Sequence, residues 1–207
     1  MLLSIEHIAD DVLLGLWQME DDPSLKVREK ERKAVRHLVA AMLEYEISLG
    51  EPLRADNTVE IKHEESGKPL LEGWHISISH TKGYVAVLLS KTREVGVDIE
   101  YVSERIKRIA DRFLRPDEYA ESINELLIHW CAKETIYKLY SEQDLTFQQM
   151  KVVGLKYDTS SQAKAVERPS FHVESESSEG VAATTEVFYR INADYVLTFA
   201  MKYLRIN

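Results

Sequence analysis

Two short segments constrain this chain more than any other feature. Gly96-Val97-Asp98-Ile99-Glu100 is followed about thirty residues later by Trp130-Cys131-Ala132-Lys133-Glu134-Thr135-Ile136-Tyr137-Lys138. The first alternates apolar and acidic residues with period two, so it reads as a strand with both carboxylates on one face. The second reads as a helix that buries Trp130 and Ile136 and presents Lys133, Glu134 and Lys138 elsewhere. If strand and helix face each other, three carboxylates meet beside two ammonium groups. Such a set suits a hard divalent cation and a phosphate ester.

A chain of 207 residues, 44% of them hydrophobic, can bury a proper core as one domain or two small ones. Apolar runs such as Val85 to Leu89 have strand length, so no membrane span is expected. Glu6, Asp10 and Asp11 stand where a secretory leader would be basic and apolar. The single cysteine, Cys131, excludes an intramolecular disulfide, fits a reducing compartment and reads as a packing residue. A net charge of -9 argues against broad nucleic-acid binding, which needs clustered Lys and Arg. The expectation is a soluble cytoplasmic protein.

Helical periodicity runs from Arg28 to Leu49 and stops at Gly50-Glu51-Pro52. Gly67 and Pro69 mark a turn. Strands are expected at Trp74 to Ser79 and Tyr84 to Leu89, around a Thr81-Lys82-Gly83 turn. Lys91 to Glu94 reads as the junction between an N-terminal lobe, 1–92, and a C-terminal lobe, 93–207. A second amphipathic helix covers Glu121 to Tyr140. Four strands follow: Lys151 to Tyr157, Ser170 to Glu174, Val187 to Ile191 and Tyr195 to Tyr203. The acidic and serine-rich run from Glu174 to Gly180 reads as a solvated loop tip. Each half has a long helix and then a strand opening on Tyr-Val (Tyr84-Val85, Tyr195-Val196), a weak internal repeat.

Four motifs occur in one order: Gly67-Lys68-Pro69-Leu70, then Ile76-Ser77-Ile78-Ser79-His80-Thr81, then Gly96 to Glu100, then Trp130 to Lys138. In that order and spacing the chain resembles the 4'-phosphopantetheinyl transferases of the surfactin-activating type. Arg36, within Ala34-Val35-Arg36-His37-Leu38, is similar to that family's arginine on the N-terminal helix. Arg112-Phe113-Leu114-Arg115-Pro116-Asp117-Glu118 is similar to its R-F-F-S-x-x-E segment. The chain departs from the pattern at Thr81, Leu114, Arg115 and Thr135. After Lys138 it runs Leu139-Tyr140-Ser141-Glu142-Gln143-Asp144-Leu145 where many members have a glycine-rich stretch.

The resemblance implies an α+β pseudodimer of two similar lobes with the active site at their interface. It implies transfer of the phosphopantetheine arm of coenzyme A to a serine of an apo acyl or peptidyl carrier protein, with release of adenosine 3',5'-bisphosphate. Mg2+, or Mn2+ in its place, would be held by Asp98, Glu100 and Glu134. Glu134 either completes that shell or accepts the serine proton, and Lys138 and His80 join it as catalytic candidates. Arg36, Lys68, Pro69, Ser79, His80, Thr81, Lys133 and Lys138 are the candidate contacts to coenzyme A. Arg105, Arg108, Arg112, Phe113 and Leu114 lie on a locally basic strip of an acidic chain and are the candidate carrier-docking surface. Two rival activities fit the same residues: a coenzyme A–binding protein without transfer, and a Mg2+-dependent hydrolase of nucleotide pyrophosphates.

Overall fold

The computed structural model describes residues 1–48, 59–156 and 169–204. Leu49 and the expected helix stop at residues 50–52 lie outside them, as does Tyr157. The fold is mixed α and β with antiparallel sheets, and it divides into two compact units. Among the described residues no helix is long and apolar enough to cross a membrane.

The first unit comprises Met1–Val95 and Tyr203–Asn207. Its strands are β1 (Leu2–Ala9), β2 (Val12–Gln18), β5 (His75–Thr81) and β6 (Tyr84–Ser90), paired in the order β1-β2-β6-β5. Helix α1 (Val27–Ser48) packs Leu38, Val39 and Met42 against Leu13, Val85 and Val87 of the sheet. A small hairpin of β3 (Lys62–His63) and β4 (Pro69–Leu70) turns at Gly67, whose φ of 87° suits glycine. The sequence reading missed β1 and β2. The reason is local: β2 is buried on both faces from Val12 to Leu16, so it shows no period-two alternation.

The second unit is Gly96–Lys202. Its sheet has the order β7-β11-β10-β9-β8, with β7 at Arg93–Tyr101, β8 at Met150–Val153, β9 at Ser170–Glu176, β10 at Ala182–Ile191 and β11 at Tyr195–Tyr203. Between β7 and β8 come a 3-10 turn (Glu104–Ile109), the short helix α2 (Ala110–Phe113) and the long helix α3 (Ile123–Leu139). Helix α3 starts at Ile123 because Ser122 and Glu125 form a reciprocal capping box: the Ser122 hydroxyl accepts from Glu125 N, and the Glu125 carboxylate accepts from Ser122 N. Arg93 and Glu94, in the stretch expected as the junction, open β7. One expectation needs correction. The run from Glu174 is strand through Glu176 and buries Ser175 and Ser177, leaving only Ser178 to Gly180 as an exposed tip.

Candidate active site

Gly96 explains how β7 and α3 come so close. A Cβ at that position would collide with the carbonyl oxygen of Thr135 and stand 3.1 Å from Leu139 Cβ. Thr135 completes the contact, its hydroxyl lying 2.7 Å from that of Thr198 on β11. The close approach carries Asp98 and Glu100 of β7 to the face of α3 that holds Glu134 and Lys138. Lys138 Nζ donates to Asp98 Oδ1 at 2.7 Å and to the carbonyl of Val97 at 2.9 Å. Glu134 lies one helical turn before Lys138. Burial and the charge of Asp98 raise its carboxyl above the usual range; Lys138 offsets part of that rise and Glu100 adds to it. The Cys131 thiol, buried on the same helix, is pushed well up by burial and by the charges of Asp98 and Glu100. It stays protonated and takes no part as a nucleophile.

Lys133 does not join this group. It precedes Glu134 by one residue and so points about 100° away around the helix. Its side chain is 0% exposed. Nζ donates to Glu118 Oε2 at 2.5 Å, to the Phe113 carbonyl at 2.6 Å and to the Phe147 carbonyl at 3.3 Å. The expected phosphate contact is therefore corrected: Lys133 is an internal cation, and the cluster beside β7 has one ammonium group, not two. Glu118, to which the sequence reading gave no role, is 2% exposed at its side chain. It also accepts from the backbone N–H groups of Arg115 and Val152 and faces His129 Nδ1 at 3.5 Å. Burial opposes its ionisation, but these hydrogen bonds prevail and hold its carboxyl down at about 2.

In the first unit, α1 and β5 wall a pocket of about 650 Å³. Arg28, Arg32 and Arg36 line it at i, i+4 and i+8 on one face of α1, with His63 and His80 among its other polar groups. Ile61, Pro69 and Ile78 supply apolar wall. Only Arg36, Pro69 and His80 of these cationic and apolar groups were expected; the four-residue spacing of the arginines was the signal for the other two. His80 Nδ1 lies 3.3 Å from Glu31. Ser79 and Thr81 are not in this lining. Neighbouring strand residues point to opposite faces, and both are buried on the face away from His80. Lys68 is also outside the lining, with Nζ 3.6 Å from Glu94, a carboxylate it shares with His75.

The basic strip is largely solvent-facing: Arg105, Lys107, Arg108 and Arg112 are exposed. Phe113 is 0% exposed and lies in the core, where it meets the Trp130 ring edge-on at 5.5 Å, so it is not a docking contact. Leu114 is half-buried against the same core.

A family model for the 4'-phosphopantetheinyl transferase superfamily matches residues 94–200, more than half of the chain and nearly all of the second unit. The chain belongs to that superfamily. A comparison with curated proteins gives no match. Membership carries transferase activity: the superfamily transfers phosphopantetheine, with coenzyme A as substrate and a carrier protein as partner. The match covers Asp98, Glu100, Glu118, Glu134 and Lys138 and does not extend to the arginine-lined pocket of the first unit.

The metal expectation is tested by the donors themselves. Among the described residues, no group of three or more His, Cys, Asp or Glu side chains is arranged to hold a metal ion. The Lys138 ammonium already sits on Asp98, and the arrangement is a carboxylate–lysine cluster, not a finished cage. The chemistry of the donors nonetheless fits a hard cation. All three are carboxylates, and the repulsion that raises Glu134 is what a divalent ion would relieve.

Proposed function

We propose that this chain is a phosphopantetheinyl transferase of the surfactin-activating type, acting on an apo acyl or peptidyl carrier protein as a cytoplasmic monomer. The observation that carries the reading is the β7–α3 cluster: Asp98, Lys138 and a Glu134 whose carboxyl is raised by burial and by its neighbours. In the reaction a carrier serine oxygen bonds to the β-phosphorus of coenzyme A, and the bond from that phosphorus to the leaving adenosine 3',5'-bisphosphate breaks. Glu134 is the group that accepts the serine proton, since a raised carboxyl is the better acceptor. Asp98, Glu100 and Glu134 would hold Mg2+, which when bound supplies charge neutralisation at the pyrophosphate. Lys138 adds positive charge at the same place.

The arginine face of α1 is assigned to the outer phosphate of the coenzyme. Arg28, Arg32 and Arg36 offer planar donors that suit a dianionic phosphate, and Pro69, Ile61 and Ile78 offer apolar wall to the adenine. Lys68 adds its charge from the neighbouring loop. The two units are proposed to be related lobes. In each, a strand leads to a long helix, and the last strand of the unit's closing hairpin pairs beside that first strand: β2, α1, β5, β6 in one and β7, α3, β10, β11 in the other. Each first strand also carries a glycine where its helix presses closest, Gly15 under Leu38 and Met42 and Gly96 under Thr135 and Leu139.

Mixing the protein with coenzyme A, Mg2+ and an apo carrier, then weighing the carrier intact, tests the reading. The expected result is a mass gain of one phosphopantetheine. Coenzyme binding without a mass gain identifies a binding protein, and adenosine bisphosphate released without a carrier identifies a hydrolase. Arg28→Ala and Arg32→Ala are expected to weaken coenzyme A binding about tenfold each, in the range of a lost charge-assisted hydrogen bond, while leaving dephospho-coenzyme A affinity unchanged. Equal losses for both coenzymes remove the outer-phosphate assignment.

A further inference from the structure

We infer that Glu118 is a positioning residue for the transfer site: acting through Lys133, it fixes the rotation of α3 that presents Glu134 and Lys138 to β7. The inference rests on the transferase reading above. It starts from a property of α3 that packing alone does not resolve. Four consecutive residues, Leu126, Leu127, Ile128 and His129, are all buried. At about 100° per residue they span the whole circumference of the helix. In the last two turns Glu134, Tyr137 and Lys138 form a less buried face, so the core sets the azimuth of α3 coarsely, and non-directional apolar contact does not fix it finely.

A directional bond sets the azimuth. His129 and Lys133 are four apart and form one ridge of α3: Lys133 Nζ donates to Glu118 Oε2 at 2.5 Å, and His129 Nδ1 stands 3.5 Å from Glu118 Oε1 without making a hydrogen bond. Glu118 is in turn anchored by Arg115 N at 2.9 Å and Val152 N at 2.7 Å. Lys133 reaches past it to the carbonyls of Phe113 and Phe147. The Glu118–Lys133 pair therefore ties α3 to β8, to the end of α2 and to the loop between α3 and β8. The next residue along from Lys133 is Glu134. An ion pair this buried is a poor device for stability, because desolvation offsets most of its attraction and apolar residues of the same volume do as well. What it provides that apolar residues do not is a fixed orientation. Glu118 and Lys133 touch no group of the proposed chemistry and act only on how Glu134 is held.

Either single substitution, Glu118→Gln or Lys133→Met, strips a buried charge of its partner and endangers folding. The double variant Glu118→Gln/Lys133→Met removes both charges and keeps the volumes, and the introduced amide oxygen can still accept from one of Arg115 N and Val152 N, which in the wild type donate to different oxygens of Glu118. It is expected to melt cooperatively. Its kcat is expected to fall about 10–100-fold, the usual cost of losing an outer-shell support, and Mn2+ affinity, read by electron paramagnetic resonance without coenzyme or carrier, to weaken about tenfold. KM for coenzyme A is expected to stay within about twofold of wild type, because no substrate contact is removed. Glu118→Asp keeps the charge but shortens its reach, and it is expected to show the same split in milder form. Wild-type kcat and Mn2+ affinity in a folded double variant, or full kcat in Glu118→Asp, would overturn the inference. So would a raised KM with unchanged kcat, which would make Lys133 a substrate contact after all. A wild-type protein that binds Mn2+ yet modifies no carrier sinks the transferase reading alone, and the Mn2+ comparison still decides this one.

Discussion

Asp98 and Glu134 share one lysine, and replacing them is expected to move stability in opposite directions. The Glu134 carboxyl is raised, so its ionised form is disfavoured in the fold and its charge costs stability at neutral pH. Glu134→Gln is expected to raise the melting temperature in metal-free buffer. Asp98 holds Lys138 at 2.7 Å, so Asp98→Asn is expected to destabilise by about 1–3 kcal/mol through a half-buried ammonium left without its counter-charge. Both variants are expected to lose carrier modification by at least about 100-fold, the scale of a lost acid–base or charge-stabilising group. Differential scanning calorimetry with parallel mass assays checks the pair. A stabilised Asp98→Asn would show that the Lys138 contact is unimportant. At this scale the sequence was legible wherever spacing fixed direction. Residues i and i+2 on a strand gave Asp98 and Glu100 one face, and residues i and i+4 on a helix put Glu134 and Lys138 together. It was illegible where a motif lists neighbours. Lys133 stands next to Glu134, and Ser79 and Thr81 next to His80, yet a one-residue step reverses the face of a strand and turns a helix by about 100°.

The contact between β7 and α3 depends on a hydrogen atom at Gly96. Gly96→Ala puts a methyl group into the Thr135 carbonyl and against Leu139, and the strand or the helix must shift. The expected cost is about 1–3 kcal/mol, as for other overpacked sites, together with a loss of transfer exceeding that of a surface substitution of equal stability. Urea unfolding and rate measurement at a temperature where the variant is folded separate the two effects. Glu118 gives α3 a pH signature. Its folded carboxyl titrates at about 2 against an ordinary 4.5. Its contribution is complete above the ordinary value and is lost as pH falls from there through the folded one. Integrated, that is on the order of 3 kcal/mol. Between those two values the wild type is expected to lose stability more steeply than Glu118→Gln/Lys133→Met, and parallel slopes would show that Glu118 is not held down. Both long helices were legible to within two residues at each described end, because each carries apolar residues at helical spacing. In the second unit β11 was legible end to end, the strand expected from Lys151 ran past the end of β8 at Val153, and β9 and β10 were legible in place but short in extent; in β9 the exposed Glu174 and Glu176 alternate with Val173 and Ser175 and resemble a loop. The N-terminal hairpin was not legible: β2 is a run buried on both faces and carries no period, and β1 is largely unburied, with Ser4, Glu6 and His7 among its residues.

The molecule as a whole is acidic, with a net charge of -9, yet its exposed Arg105, Lys107, Arg108 and Arg112 lie within eight residues of each other. A local basic strip on a negative body guides an acidic partner to one place and repels it elsewhere. Replacing Arg105 and Arg108 by Glu is expected to raise KM for an acidic carrier about tenfold or more, in the range of steering effects, with KM for coenzyme A unchanged and the salt dependence of the rate flattened. If only the coenzyme constant moves, the strip serves the nucleotide and not the carrier. The lone cysteine has a use of a different kind. Cys131 sits on α3 one turn before Glu134, with its sulfur 3.9 Å from the Val196 carbonyl of β11 and no exposure to solvent. A thiol reagent can reach that sulfur only when α3 lifts from β11. The pace of covalent labelling therefore counts openings of the helix that carries Glu134 and Lys138, and any ligand that closes over the cluster will slow it, whether or not turnover follows.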